Sequence, residues 1–135
     1  MFLLDTDVLS ALRKRQRNPN LVGWVSRQRS SDLYLSVVSV GEIERGIAQQ
    51  QKKNAEFASE LATWLDRLLA LYGERVLSVD VSTSRRRGQL SAAVGHDGTD
   101  LLIAAAALEH GLTVVTGNTR HYQPTGVPLI DPFQG

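Results

Sequence analysis

The chain opens with an apolar run, Phe2, Leu3 and Leu4, that stops at an acid, Asp5. A run this short with a polar boundary predicts a buried strand, and its carboxyl end then carries Asp5 and Asp7. Val8 to Lys14 follows as a short helix, with Asp7 placed to cap it. Asn18-Pro19-Asn20 is a break, Leu21 to Gln28 reads as a second short helix, and Leu33 to Val38 is a β-branched and aromatic run of strand type. Ser39 opens the next helix, in which Val40, Ile43 and Ile47 keep helical spacing. Ala55 to Tyr72 has neither Gly nor Pro. Phe57, Leu61, Trp64, Leu65, Leu68 and Leu69 lie along one face of it, and Gly73 ends it as a C-cap does. Beyond it the pattern predicts a strand at Val76 to Val79, a helix at Thr83 to Val94, a turn at Asp97-Gly98 and a helix at Leu101 to Glu109. A strand at Thr113 to Thr116, a turn at Gly117-Asn118 and a last edge strand at Pro128 to Ile130 complete the order.

Strands separated by helices imply a parallel sheet covered on both faces, an α/β fold of three layers, because parallel strands need crossovers. In such a sheet all strand carboxyl ends share one edge, and ligands bind there. That edge collects Asp5 and Asp7, then Glu42, then Asn118. Asp100 opens a helix, and it reaches the same edge if that helix runs antiparallel to the strand that follows.

Each of these residues also has a local reading. Asp7 is placed as a helix cap. Ser39-Val40-Gly41-Glu42 has the form of a capping box, and Glu44 competes with Glu42 for any functional role. Asp100 complements a helix dipole at its first turn, and Asp97 makes a turn with Gly98. Asp5 has no comparable helix to cap, so it is read as functional. Of the histidines, His110 suits a helix C-terminus, His96 stands in a loop, and His121 lies near the edge, within reach of a metal or phosphate. Tyr122 offers one aromatic ring to a base.

Bulk properties narrow the chemistry. At 135 residues the chain is read as one domain, 1–135, with 42% apolar and 21% charged residues, an ordinary globular balance. Without cysteine there is neither a disulfide framework nor a thiolate zinc site, so a metal must be held by oxygen or imidazole, and the composition suits a reducing cytoplasm. Leu101 to Leu108 is the longest apolar run, far short of the roughly 20 residues that span a bilayer. Asp5 interrupts the N-terminal run too early for a signal peptide, so a protein that is not exported is expected. The net charge of +1 sets up no global field for nucleic acid, but basic residues bunch at Arg13, Lys14, Arg15 and Arg17, and at Arg85, Arg86 and Arg87.

Four segments, LLDTDVLS at Leu3 to Ser10, LSVVSVGEIERGI at Leu35 to Ile47, DLLIAAAALEHGLTVVTGNTRHY at Asp100 to Tyr122 and PTGVPLIDPF at Pro124 to Phe133, together resemble a PIN-domain ribonuclease of the VapC and FitB toxin type. They occur in the family's order and span the chain. The resemblance implies a PIN fold with Asp5, Glu42 and Asp100 as the acids of a Mg²⁺ or Mn²⁺ site, which selects Glu42 over Glu44. It also implies RNA as substrate and inhibition by a cognate antitoxin. One departure stands out in Asn118-Thr119-Arg120-His121-Tyr122, where the family usually has an acid at the position of His121. The site then carries one negative charge fewer, while Asp7, where the family often has Asn, adds one back. Asp5 and Asp100 are assigned as direct ligands and Glu42 as a further ligand or orienter. Asn118, His121 and Asp7 are further metal candidates, and Asn118 and Thr116 support the site from behind.

Two other classes compete. Asp5-Thr6-Asp7 after an apolar strand also resembles the nucleophile and acid pair of a haloacid dehalogenase-type phosphatase, although the chain's lysines, Lys14, Lys52 and Lys53, are not near a later strand end. A module that binds RNA or antitoxin without cleaving is the other alternative, given His121. The apolar face of Ala55 to Tyr72 is generous enough to suggest a homodimer.

Overall fold

The computed structural model describes residues 1–134. Its centre is a five-stranded parallel sheet in the order β3-β2-β1-β4-β5. The strands are β1 (Phe2–Leu4), β2 (Leu33–Ser36), β3 (Val76–Leu77), β4 (Thr113–Val115) and β5 (Leu129–Ile130). The first strand is therefore the central one. Leu3 registers with Tyr34 on one side and with Val114 on the other. Because the order runs outward one way through β2 and β3 and the other way through β4 and β5, it reverses at β1. A crevice opens at the strand carboxyl ends where such a reversal occurs.

Helices cover both faces, as the strand-and-helix alternation predicts. Successive residues of β1 point to opposite sides. Leu4 joins a core with Val8 and Leu9 of α1 (Thr6–Arg13), Leu21 of α2 (Pro19–Ser26), Ile43 and Ile47 of α3 (Val37–Gln51), and Ala58 and Leu65 of α4 (Ala55–Tyr72). Leu3 joins the other core, with Leu90 of α5 (Val81–Val94) against it, Ile103 and Ala107 of α6 (Asp100–His110), and Tyr122 of α7 (Thr119–Tyr122). Leu3 and Leu4 are both fully buried, and truncating either to Ala costs about 2–5 kcal/mol. Leu61, Trp64, Leu68 and Leu69 of α4 lie partly buried against the first core, so much of that helix's generous apolar face is spent within the chain. No helix among the described residues is long and apolar enough to cross a membrane.

Beyond α1, the element boundaries differ from the sequence expectations at three places that bear on the site. The second strand ends at Ser36 and not Val38, because the Ser36 hydroxyl accepts from the Val38 N–H at 3.1 Å and starts α3 there. The expected capping box at Ser39 therefore does not form: Ser39 is already inside α3 and fully buried. The segment after Gly117-Asn118, expected only as a turn, goes on into the single turn of helix α7.

Candidate active site

Asp5 ends β1, and its N–H continues the ladder by donating to the Val115 carbonyl at 3.0 Å. Its backbone is extended, and its carboxylate accepts from the Thr6 N–H at 2.8 Å. Asp5 is thus the N-cap of α1, which corrects the assignment of that role to Asp7. The physical reason is that the helix begins two residues earlier than expected, at Thr6, which places Asp7 within its first turn, where its side chain is free to reach elsewhere. It reaches across the sheet edge, accepting from the Gly117 N–H at 2.8 Å.

A buried hydroxyl joins the two strand ends. Thr116, 0% exposed, donates to Asp5 Oδ2 at 2.8 Å, while its separations from Asp7 are 3.3 and 3.4 Å. With a single proton to give, it serves Asp5 first. The Asn118 N–H donates to the same Thr116 oxygen at 3.0 Å. Glu42 is held by a second hydroxyl pair: Thr6 Oγ1 lies 2.8 Å from Glu42 Oε1 and 2.7 Å from Ser39 Oγ. A carboxylate only accepts, so the consistent arrangement has Ser39 donating to Thr6 and Thr6 donating to Glu42. Glu42, expected to pair with the Ser39 amide, is instead aimed by the Thr6 hydroxyl, which the Ser39 side chain supports.

Asp5, Asp7, Glu42, Asp100, Asn118 and His121 all line one cleft of about 400 Å³. The sheet-edge argument expected this meeting, including that of Asp100 at the start of α6. Gly98 forms part of the wall: a Cβ there would stand 2.4 Å from Asp100 Oδ1, so the glycine leaves the space that this carboxylate occupies. Tyr122 also faces the cleft but is 1% exposed, so it is not the stacking platform that the sequence suggested. Burial, the neighbouring negative charge of Asp5 and a hydrogen bond to it hold the phenol far above its ordinary pKa, so it remains a neutral donor. Thr6, Ser39 and Gly98 were not foreseen as site residues. A hydroxyl between two acids, in Asp5-Thr6-Asp7, is the one local signal that points to any of them.

The electrostatics are uncompensated. Among the described residues the ion pairs are Arg86 with Glu109 and Arg87 with Asp97, and neither includes an acid of the cleft. Burial and then the charge of Asp5 raise the Asp7 carboxyl above its ordinary value, against hydrogen bonds that lower it. Such a cluster of oxygen donors suits a hard divalent cation. No group of three acids or imidazoles among the described residues converges at ligand distance on one point. Mg²⁺ is nevertheless commonly held by one or two carboxylates and keeps several waters, so the donor set fits.

Fold and site together define an α/β protein with an acidic cleft at the switch point of its sheet. The PIN domain family model matches residues 2–126. The VapC ribonuclease Y4jK of Sinorhizobium fredii is 33% identical over 141 residues, covering 99% of this chain and 99% of that protein. The toxin FitB of Neisseria gonorrhoeae is 30% identical over 142 residues, covering 98% and 99%. The crystal structure of FitAcB from Neisseria gonorrhoeae matches with a TM-score of 0.89 at 30% identity, over 100% of both chains. The chain belongs to the PIN-domain family.

Proposed function

We propose that the chain is a metal-dependent endoribonuclease and the toxin component of a toxin–antitoxin module, with Asp5, Glu42 and Asp100 as its catalytic acids. The observation that carries this is the gathering of these acids in one cleft, with no ion pair to a base among the described residues. Family membership and the ribonuclease and toxin relatives support it. The partners proposed with it are an RNA substrate, a cognate antitoxin protein and a second copy of the chain.

Asp5 and Asp100 would hold Mg²⁺ or Mn²⁺, with Glu42 as a further ligand or orienter and Asn118 and His121 at the margin. A divalent ion bound there supplies positive charge for a phosphodiester gaining negative charge, and acidifies water. The chain's own residues set the geometry before substrate arrives. The Thr116 hydroxyl and the Thr6 N–H fix Asp5, while the hydroxyls of Thr6 and Ser39 fix Glu42. Hydrolysis by water requires no 2′-hydroxyl, so preference for RNA over DNA would come from contacts to the strand. Among the described residues no lysine lines the cleft, and Asp7 is engaged by the Gly117 N–H, so the covalent phosphatase reading has no observation in its favour.

The test is RNA cleavage with Mg²⁺ or Mn²⁺, with and without chelator, comparing wild type with Asp5→Asn and Asp100→Asn. Asn caps a helix as well as Asp does, so Asp5→Asn keeps α1 intact. Each variant should lose about a hundredfold or more in rate, the scale of removing a group that stabilises transition-state charge. Cleavage surviving both substitutions overturns the assignment. RNA bound without cleavage under either metal would favour the non-cleaving module, with His121 as its cause.

A further inference from the structure

The cleft of acids continues into a groove between α1, α3 and α4, because Thr6 and Glu42 line both. Arg13, Lys14 and Phe57 in turn line both that groove and a basic cleft of about 580 Å³ completed by Arg15, Gln16 and Arg17. The charge changes sign along this path. Thr6 and Arg13 are about 10 Å apart along the α1 axis, a span of a few nucleotides. Arg45, Lys52 and Lys53 border the groove's other side, where Gln49 is shared with them.

We propose that this groove is the track of the RNA strand leaving the acid cleft, with its phosphates at Lys14, Arg15 and Arg17 and a base against Phe57. The inference rests on the ribonuclease reading for the identity of the strand. Cations at the end of α1 also complement its dipole, and that accounts for Arg13 in the last turn. It leaves Arg15 and Arg17 unexplained, since both lie beyond the helix, exposed and outside the ion pairs found among the described residues. Arg13 stands 5.1 Å from the centroid of the Phe57 ring, which keeps an aromatic surface beside the cations, the combination that holds single strands without reading sequence. A protein partner would want a buried apolar anchor at the centre of its contact; Ile43, Leu61 and Trp64 line the middle of the groove, but among the described residues the basic cleft at its end offers Phe57 as its one apolar side chain amid four cations. A polyanion is the better fit.

The experiment replaces three exposed cations together, Lys14→Gln, Arg15→Gln and Arg17→Gln, and retains Arg13 for its contact with Phe57. Two probes are used: a mixed-sequence single-stranded RNA long enough to span both clefts, and a short oligonucleotide that reaches the acid cleft alone. Binding of the long RNA by fluorescence anisotropy across a salt series should show a shallower slope, by about 2 for three lost phosphate contacts. Its KM should rise about tenfold while cleavage of the short oligonucleotide is unchanged. An unchanged slope and KM for the long RNA overturn the track and leave the nuclease reading standing. A steep slope lost in the variant, in a protein that cleaves neither probe, upholds the track while the nuclease reading falls. Loss of co-expressed antitoxin with an unchanged RNA slope would make this a protein-binding surface and also overturns the proposal.

Discussion

The two ends of the parallel sheet treat charge in opposite ways. At the amino end, where β2 begins, Arg75 donates to the carbonyls of Ser30, Leu33 and Leu71, and its guanidinium lies 4.8 Å from the Tyr72 ring centroid. A cation there meets backbone acceptors left over at the end of α4 and at the entry to β2. At the carboxyl end, Asp5, Asp7, Glu42 and Asp100 share a cleft with no cation among the described residues to balance them. Their hydrogen bonds come from neutral donors, Thr6, Thr116 and the Gly117 N–H, which fix direction without removing charge. One end is arranged to hold the molecule together. The other holds like charges side by side without neutralising them.

This contrast can be broken from either side. Arg75→Ala should lower stability by about 3 kcal/mol in chemical denaturation, since charged donors to carbonyls are lost, while the folded fraction keeps its RNA cleavage. An equal loss of rate per folded molecule would mean that the two ends are coupled. Gly98→Ala should do the reverse. The new methyl displaces the Asp100 carboxylate, and a misplacement of this kind costs up to about a hundredfold in rate. Its thermal midpoint should stay near wild type, because the groups that must move are the ends of two side chains, Asp100 and, by less, His96.

Two finer substitutions sharpen the charge argument. His121→Asp restores an acid at the cleft's margin, and titration calorimetry with Mn²⁺ should show affinity rising about tenfold, the scale of adjusting a group near the ligands. No change or a weakening would remove His121 from the site. Asp7→Asn should raise stability of the metal-free protein at neutral pH by less than about 1 kcal/mol, the size of one screened like-charge contact. The sign follows from the raised Asp7 carboxyl: the folded chain binds this proton more tightly, so wild type loses stability as pH rises from the ordinary 3.8 through the raised value. The gap between variant and wild type should therefore close below that ordinary value, as thermal melts at stepped pH would show.

Much of this arrangement was legible in the sequence, but unevenly. The strand–helix alternation implies a parallel sheet, and a parallel sheet implies a shared edge for Asp5, Glu42 and Asp100. The hydroxyls that aim these acids were less visible, because their partners are distant: Thr6 meets Ser39 and Glu42 across 33 and 36 positions, and Thr116 meets Asp5 across 111. Local signals were also misread where two motifs overlapped. Val37 and Val38 have strand character, yet the Ser36 hydroxyl captures the Val38 N–H and turns both into helix. Ser39-Val40-Gly41-Glu42 has the spacing of a cap, but it sits within a helix already begun. The exchange of roles between Asp5 and Asp7 came from a two-residue difference in where α1 starts, a scale at which sequence pattern has little to say.

The placement of β1 also governs when the protein can become active. The first strand made is the middle strand of the sheet, and its second neighbour, β4, lies more than a hundred residues downstream. During synthesis Asp5 emerges early but waits, with half of its sheet and the Thr116 hydroxyl still unmade. Contacts so far apart along the chain are slow to form. A ribosome-bound or truncated chain that stops just before β4 has the four acids but not the strand that completes their cleft, so activity should appear only once β4 and Thr116 have been made.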